Sequence, residues 1–144
     1  LKSICPLSIL RFSGVFGGQG DQTSLIFKFS KAIVDNKQIT LHSNGEVYRD
    51  YLPVSLLSKV IELVIKSPCN ETFNVSCGED ISIIKLVKLI EASVDNVAKL
   101  SLLKDVRSRD FSLSLSNKKL IKKFPILSDY DLLEEISLFV KTIH

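Results

Sequence analysis

Two arginine-bearing stretches hold the side chains best suited to binding chemistry. The first is Ser43-Asn44-Gly45-Glu46-Val47-Tyr48-Arg49-Asp50-Tyr51-Leu52-Pro53, and the second is Asp105-Val106-Arg107-Ser108-Arg109-Asp110. A guanidinium is a planar fork of five donors that can grip an anion in bidentate fashion. In an α/β fold the loops at strand ends converge on a crevice, and two such forks meeting there suit a diphosphate. The alternative use of Arg49 is a surface pair with Asp50 or Glu46.

Other chemistries find less support. His42 and His144 are the only histidines and no carboxylate cluster stands at ligand spacing, so no metal site is expected and His42 reads as a strand-end residue. No G-x-S-x-G elbow marks a nucleophilic serine. Gly14-Val15-Phe16-Gly17-Gly18-Gln19-Gly20 follows a strand, but it is neither G-x-G-x-x-G nor a Walker loop. It reads as a turn into a helix. Lys118, Lys119, Lys122 and Lys123 recur at i, i+1, i+4 and i+5, the spacing of a solvated helical face rather than of a nucleic-acid surface.

The elements that must carry these residues follow from apolar periodicity. Residues 7–10 read as a buried strand. From Gln22 a helix has Leu25, Ile26, Phe29 and Ile33 on its inner face, and 39–41 form a strand. A Ser-Asn-Gly turn follows. Pro53 suits the first turn of a helix, where its missing N–H costs nothing, with Val54, Leu57, Ile61 and Val64 as the buried stripe. Residues 72–75 form a strand. Ser82 can cap a helix with the stripe Ile83, Leu86, Val87, Ile90 and Val94. After a strand at 97–102 and a charged loop at 104–111 comes a short basic helix at 116–123. Ser128-Asp129-Tyr130-Asp131 opens the last helix, with Leu132, Leu133, Ile136, Phe139 and Ile143 inward. Strands alternating with helices predict an α/β chain with right-handed crossovers.

At 144 residues and 16.1 kDa the chain fits one domain. Apolar residues make up 45%, without the ~18–20 uninterrupted ones that a membrane span needs. The first ten residues lack a signal-peptide cleavage site, and a chain that begins at Leu1 and contains no Met is not expected to be a complete translation product. A net charge of +3, from 19 basic and 16 acidic residues, is too mild to argue for nucleic acid. Cys5, Cys69 and Cys77 form no C-x-x-C pair, so a reducing cytosol is the default compartment. A mean hydropathy of +0.22 is high. It implies apolar surface that something else covers.

The order of segments resembles one family. Leu10-Arg11-Phe12-Ser13-Gly14-Val15-Phe16-Gly17 resembles the L-R-x-x-N-V-Y-G motif of the extended short-chain dehydrogenases/reductases, the NAD-dependent sugar epimerase/dehydratase family. The stretch 39–54 is similar to that family's I-x-x-x-G-x-G-x-x-x-R-D-Y-x-x-V. Phe73-Asn74-Val75-Ser76-Cys77-Gly78-Glu79-Asp80-Ile81-Ser82 is similar to its F-N-I-G-S-G-E-x-I-S. The 105–110 loop and Ser114 to Lys118 resemble its late arginine loop and D-x-S-K helix start. Four motifs in register span essentially the whole chain.

The resemblance implies that 1–144 is the C-terminal part of a Rossmann-type fold. Its last sheet strands, near 7–10 and 72–75, would be interleaved with a small α/β substrate-binding domain. It implies that Arg49 and Arg107 grip the diphosphate of a nucleotide sugar, with Arg109 as the alternative late arginine. Gly14, Ser24 and Leu25 would lie against the same substrate, and Thr40 and His42 near its base. Phe12 and Ser13 would approach the nicotinamide end of NAD or NADP, which the preceding half would mainly bind. No catalytic residue falls within 1–144. The family's glycine-rich loop and Tyr-x-x-x-Lys would precede Leu1, and none of Tyr48, Tyr51 and Tyr130 has a lysine four residues on, so the segment alone is expected to be inactive. Partners would be the nucleotide sugar, the N-terminal half and, when intact, a second copy in a homodimer, with no nucleic acid and no membrane. A non-catalytic nucleotide-sugar-binding or dimerisation module is the alternative. Four places depart from the pattern. Gly14 stands for the motif asparagine, Gly18 for a proline, Leu56 for an acid, and Ser114-Leu115-Ser116-Asn117 for D-x-S-K.

Overall fold

A computed structural model describes residues 6–105, 112–125, 127 and 130–143. In chain order the elements are β1 (Ile9–Phe12), β2 (Gly14–Phe16), α1 (Leu25–Val34), β3 (Gln38–Leu41), β4 (Tyr48–Pro53) and α2 (Val54–Lys66). They are followed by β5 (Thr72–Val75), β6 (Asp80–Ser82), α3 (Ile83–Val94), β7 (Lys99–Leu102), α4 (Lys118–Lys123) and α5 (Leu132–Ile143). The strands form three small sheets. β1 pairs with β5 in parallel, β3 pairs with β7 in parallel, and β4 runs parallel to β2 and antiparallel to β6. The mixed α/β fold matches the expected class.

β4 divides the interior. Successive strand side chains point to opposite faces, so Tyr51 enters one core and Leu52 the other. The first core joins Ile26 and Ile33 of α1, Leu86, Val87 and Ile90 of α3, and Ile136 and Val140 of α5. The second joins Leu56 and Val60 of α2, Phe73 and Val75 of β5, and Leu120 and Phe124 around α4.

The helices of the first core carry side-chain caps. Ser24 Oγ accepts from Phe27 N–H at 3.1 Å, Ser82 Oγ from Lys85 N–H at 3.2 Å, and Asp131 Oδ1 from Leu133 and Glu134 N–H. Each bond satisfies an amide that the first turn cannot pair. α2 has no such bond, because Pro53 stands at its cap.

Several expected boundaries move. The strand predicted at 7–10 runs Ile9–Phe12. Leu7 N–H donates to Asn70 Oδ1 and Ser8 Oγ to Cys69 O, so the ladder starts only where Ile9 meets Thr72. The glycine stretch contains β2 and does not turn at Gly14. Pro53 ends β4 in an extended conformation (φ −63°, ψ 141°) and does not open the helix. α2 buries Leu56 and Val60 in place of Val54 and Ile61, which are 38% and 42% exposed. That helix is apolar on two faces, so the period fits either. In α5, Val140 is buried and Leu133 is 37% exposed.

Two glycines, Gly18 in place of the family's proline and Gly45 in agreement with its pattern, have a backbone reason. Gly18 has φ +85°, which a proline ring locked near −65° cannot adopt. Gly45 has φ +75°, and a Cβ there would lie 2.9 Å from Leu41 Cδ1 and 3.0 Å from Ile84 Cβ. Only glycine fits this turn from β3 into β4.

Candidate functional site

Arg49 lies inside β4 on the face it shares with Tyr51. Its Nη1 donates to Tyr48 O at 3.0 Å. The segment after residue 111 runs alongside: Tyr48 N–H donates to Ser112 Oγ, Leu113 N–H donates to Tyr48 O, and Arg49 bridges Leu113 in parallel. Tyr51 is buried, and its hydroxyl finds no hydrogen-bond partner among the described residues. Burial pushes that phenol up to about 12, against the opposing pull of the Arg49 charge.

Asp50 points the other way, into the junction of the β1–β5 pair with the central sheet. It is 4% exposed. Burial raises its carboxyl above the ordinary range, while the hydroxyls of Ser76 and Ser13 and the N–H groups of Cys77 and Leu115 oppose that rise. Ser13 Oγ donates to Asp50 Oδ1 at 3.2 Å. Ser76 Oγ donates to Leu115 O at 2.7 Å and accepts from Gly78 N–H at 3.1 Å. Asn117 Nδ2 donates to Ser76 O and Asn74 Nδ2 to Ser116 O, closing the same junction.

The remaining candidates fall on separate elements. Phe12 ends β1 and is 53% exposed, whereas Ser13 is buried against Asp50. Gly14 opens β2, and a Cβ there would meet nothing within 4 Å, so sterics do not explain its lack of a side chain. Ser24 caps α1 and Leu25 begins it, partly buried against the first core. Asp21 fastens the turn before them: Oδ2 accepts from Gly17 N–H, and Oδ1 from Thr23 and Ser24 N–H. Burial would raise the Asp21 carboxyl, but these bonds outweigh it and hold the group below its usual value. Thr40 is on the outward face of β3, paired with Ser101. His42, just beyond, places Nδ1 3.0 Å from both carboxylate oxygens of Asp105. Ser43 N–H also donates to Asp105 O.

The candidates thus meet other residues more than one another. Ser13 and Arg49 are linked through Asp50, and His42 meets Asp105, which begins the late arginine stretch. Arg107 and Arg109 lie outside the described residues. Asp50, Ser76 and Asn117 were not singled out from sequence. The available signal was an acid placed in a run that is otherwise apolar or aromatic, Tyr51-Leu52-Pro53-Val54.

A cleft of about 640 Å³ lies elsewhere, between the 17–22 turn, the start of α2 and α5, lined by Asp21, Phe27, Val54, Ser55, Glu135 and Phe139 among others. None of the described candidate residues lines it. The lysines of α4 are partly spoken for. Glu71 pairs with Lys119 and Lys123, and Lys119 Nζ donates to Thr72 O above the Phe73 ring. Among the described residues, no three His, Cys, Asp or Glu side chains cluster as a metal site, and no helix is long and apolar enough to cross a membrane.

No family model matches the chain. It is 32% identical over 88 residues to YtcB of Bacillus subtilis, described as an uncharacterized UDP-glucose epimerase, a match over 60% of this chain and 28% of that protein. Among solved structures it resembles UDP-glucuronic acid 4-epimerase of Bacillus cereus with a TM-score of 0.82 at 18% identity, over 96% of this chain and 45% of that one. That enzyme was solved with NAD and UDP-4-deoxy-4-fluoro-glucuronic acid. It also resembles UDP-N-acetylglucosamine 4-epimerase of Methanobrevibacter ruminantium, with a TM-score of 0.76 at 25% identity, over 94% and 45%. The chain therefore spans less than half the length of the solved structures it matches. Motif order, sequence relatives and fold converge, and the chain carries the C-terminal half of the fold of the NAD-dependent sugar epimerase/dehydratase family, the extended short-chain dehydrogenases/reductases.

Proposed function

We propose that residues 1–144 are the substrate-side half of an NAD(P)-dependent nucleotide-sugar epimerase, dehydratase or reductase, and that Arg49 and Arg107 grip the sugar-nucleotide diphosphate. The observation that carries this reading is the set of four motifs in register on a fold shared with enzymes of that kind. In this reading the β1–β5 pair completes the nucleotide-binding sheet, and the remaining elements form the substrate side. Gly14, Ser24 and Leu25 lie against the nucleotide sugar, with Thr40 and His42 near its base.

Phe12 and Ser13 sit at the C-terminal end of the parallel β1–β5 pair, where open α/β sheets take their ligands. The exposed Phe12 ring suits contact with the flat end of a nicotinamide cofactor. When bound, that cofactor supplies hydride transfer, and its main binding surface belongs to the preceding half. This chain orients the substrate. The free edge of β1 and the exposed Leu7 and Ile9 support docking of that half as the continuing sheet.

The test is titration of UDP into the full polypeptide and into Arg49→Lys, Arg107→Lys and Arg109→Lys. An ammonium cannot reproduce the bidentate fork, so loss of charge-assisted bonds should cost about 2–4 kcal/mol at Arg49 and at one late arginine. Changes below about 1 kcal/mol at all three would indicate surface pairs instead.

One observation favours a second reading, a binding module without oxidoreductase chemistry. The space beside Gly14 is open, yet the asparagine of the family motif is missing. UDP binding with no turnover of any UDP-sugar by the full polypeptide, restored by Gly14→Asn, would assign the deficit to that position.

A further inference from the structure

A buried carboxylate is costly unless its acceptor sites are filled. Asp50 accepts from Ser13 Oγ, between β1 and β2, at 3.2 Å, and the Ser76 hydroxyl and the N–H groups of Cys77, after β5, and Leu115, before α4, favour its charged form. An ionised carboxylate offers about four lone-pair sites, and the Ser13 hydroxyl fills one of them directly. An asparagine would turn an NH2 group toward N–H donors and could not satisfy them.

Asp50 and Arg49 are consecutive on β4 and so face opposite sides of the strand. The carboxylate therefore cannot touch the ligand that the guanidinium grips, and any influence it has on that ligand passes through the backbone. The backbone here is held on both flanks. Asp50 ties it to Ser13, and Leu113 bridges Arg49 itself. Ser13 is in turn the residue beside Phe12 at the cofactor end.

Building on the proposed diphosphate site, we infer that Asp50 is a positioning residue: it pins the Arg49 backbone to Ser13, so that the substrate grip and the cofactor-side contact keep a fixed spacing across β4. Misplacing a binding group by a fraction of its bond length forfeits the geometry on which a bidentate contact depends.

The experiment is a double-mutant cycle on UDP affinity in the full polypeptide. It uses Asp50→Asn and, in case that variant folds poorly, Ser13→Ala, each in the native and in the Arg49→Ala background. Folding of every variant is checked by near-UV circular dichroism. Asp50→Asn should weaken UDP roughly tenfold and Ser13→Ala about threefold, and both losses should vanish once Arg49 is alanine. Equal losses in the two backgrounds would show that Asp50 acts on general stability, and no loss in the native background would show that it does not position Arg49; either overturns the inference. If Arg49→Ala itself binds UDP normally, the diphosphate reading fails and the inference falls with it, a result distinct from the first two.

Discussion

Tyr51 and Leu52 are neighbours on β4, yet they enter cores of different completeness. On the Tyr51 side, α1, α3 and α5 pack against one another, each begun by a side-chain cap, and Ile26, Leu86, Val87, Ile90 and Ile136 are sealed. On the Leu52 side, the interior is equally dry at Val60, Phe73 and Val75, but its rim is apolar and open. Leu7 is 67% exposed and Ile65 70%, β1 pairs with β5 alone among the described residues, and α2 starts without a side-chain cap. A parallel sheet is ordinarily covered on both faces and extended at its edges. The Tyr51 side is closed by the packing of three capped helices, although Val97 (75%) and Leu138 (52%) stay exposed beside it; the Leu52 side presents the apolar face of α2.

The largest expected contrast is mutational. Ile90→Ala in the closed core should cost about 2–5 kcal/mol in chemical denaturation, since it removes sealed contacts and leaves a cavity. Ile65→Glu on the open face should change the stability of the 144-residue chain by less than about 0.5 kcal/mol. It should also reduce binding of a hydrophobic dye, which the unaltered chain is expected to take up. A chain that melts sharply and binds no dye would erase the contrast.

Next in size are the caps. Ser82→Ala and Ser24→Ala should each cost about 1 kcal/mol in denaturant midpoints, because each orphans an amide at the head of a helix in the closed half. Smallest is Tyr51→Phe. Its hydroxyl is buried and unpaired among the described residues, so removing it should leave stability unchanged or raise it by up to about 1 kcal/mol. A loss of that size would mean that the hydroxyl has an acceptor, and that the closed core is wetter than its packing indicates.

The two halves were not equally legible in the sequence. α1, α3 and α5 announce themselves because a capping serine or aspartate precedes a single apolar stripe, and tertiary packing uses that stripe. α2 has Leu56, Leu57, Val60, Ile61, Leu63, Val64 and Ile65, so periodicity cannot choose which face is buried. β2 and β6 span three residues each, too few to show alternation, and β4 hides its strand character behind Arg49, Asp50 and a terminal proline. The candidate residues Arg49 and His42 stood out by chemical type. The Asp50 junction did not, because its partners Ser13, Ser76 and Leu115 are dozens of positions apart and only folding makes them neighbours.

The alternation along β4 also constrains how this chain can change over evolutionary time. Gly45 fixes the chain before the strand, and the register Gly14↔Tyr51, Val15↔Leu52 fixes it after. Inserting or deleting one residue between these anchors would rotate Arg49 and Asp50 by half a turn, sending the guanidinium into the serine junction and the carboxylate to the face that Arg49 now occupies. Such length changes should be excluded from 46–50 in functional descendants, whereas point substitutions at exposed Glu46 should pass.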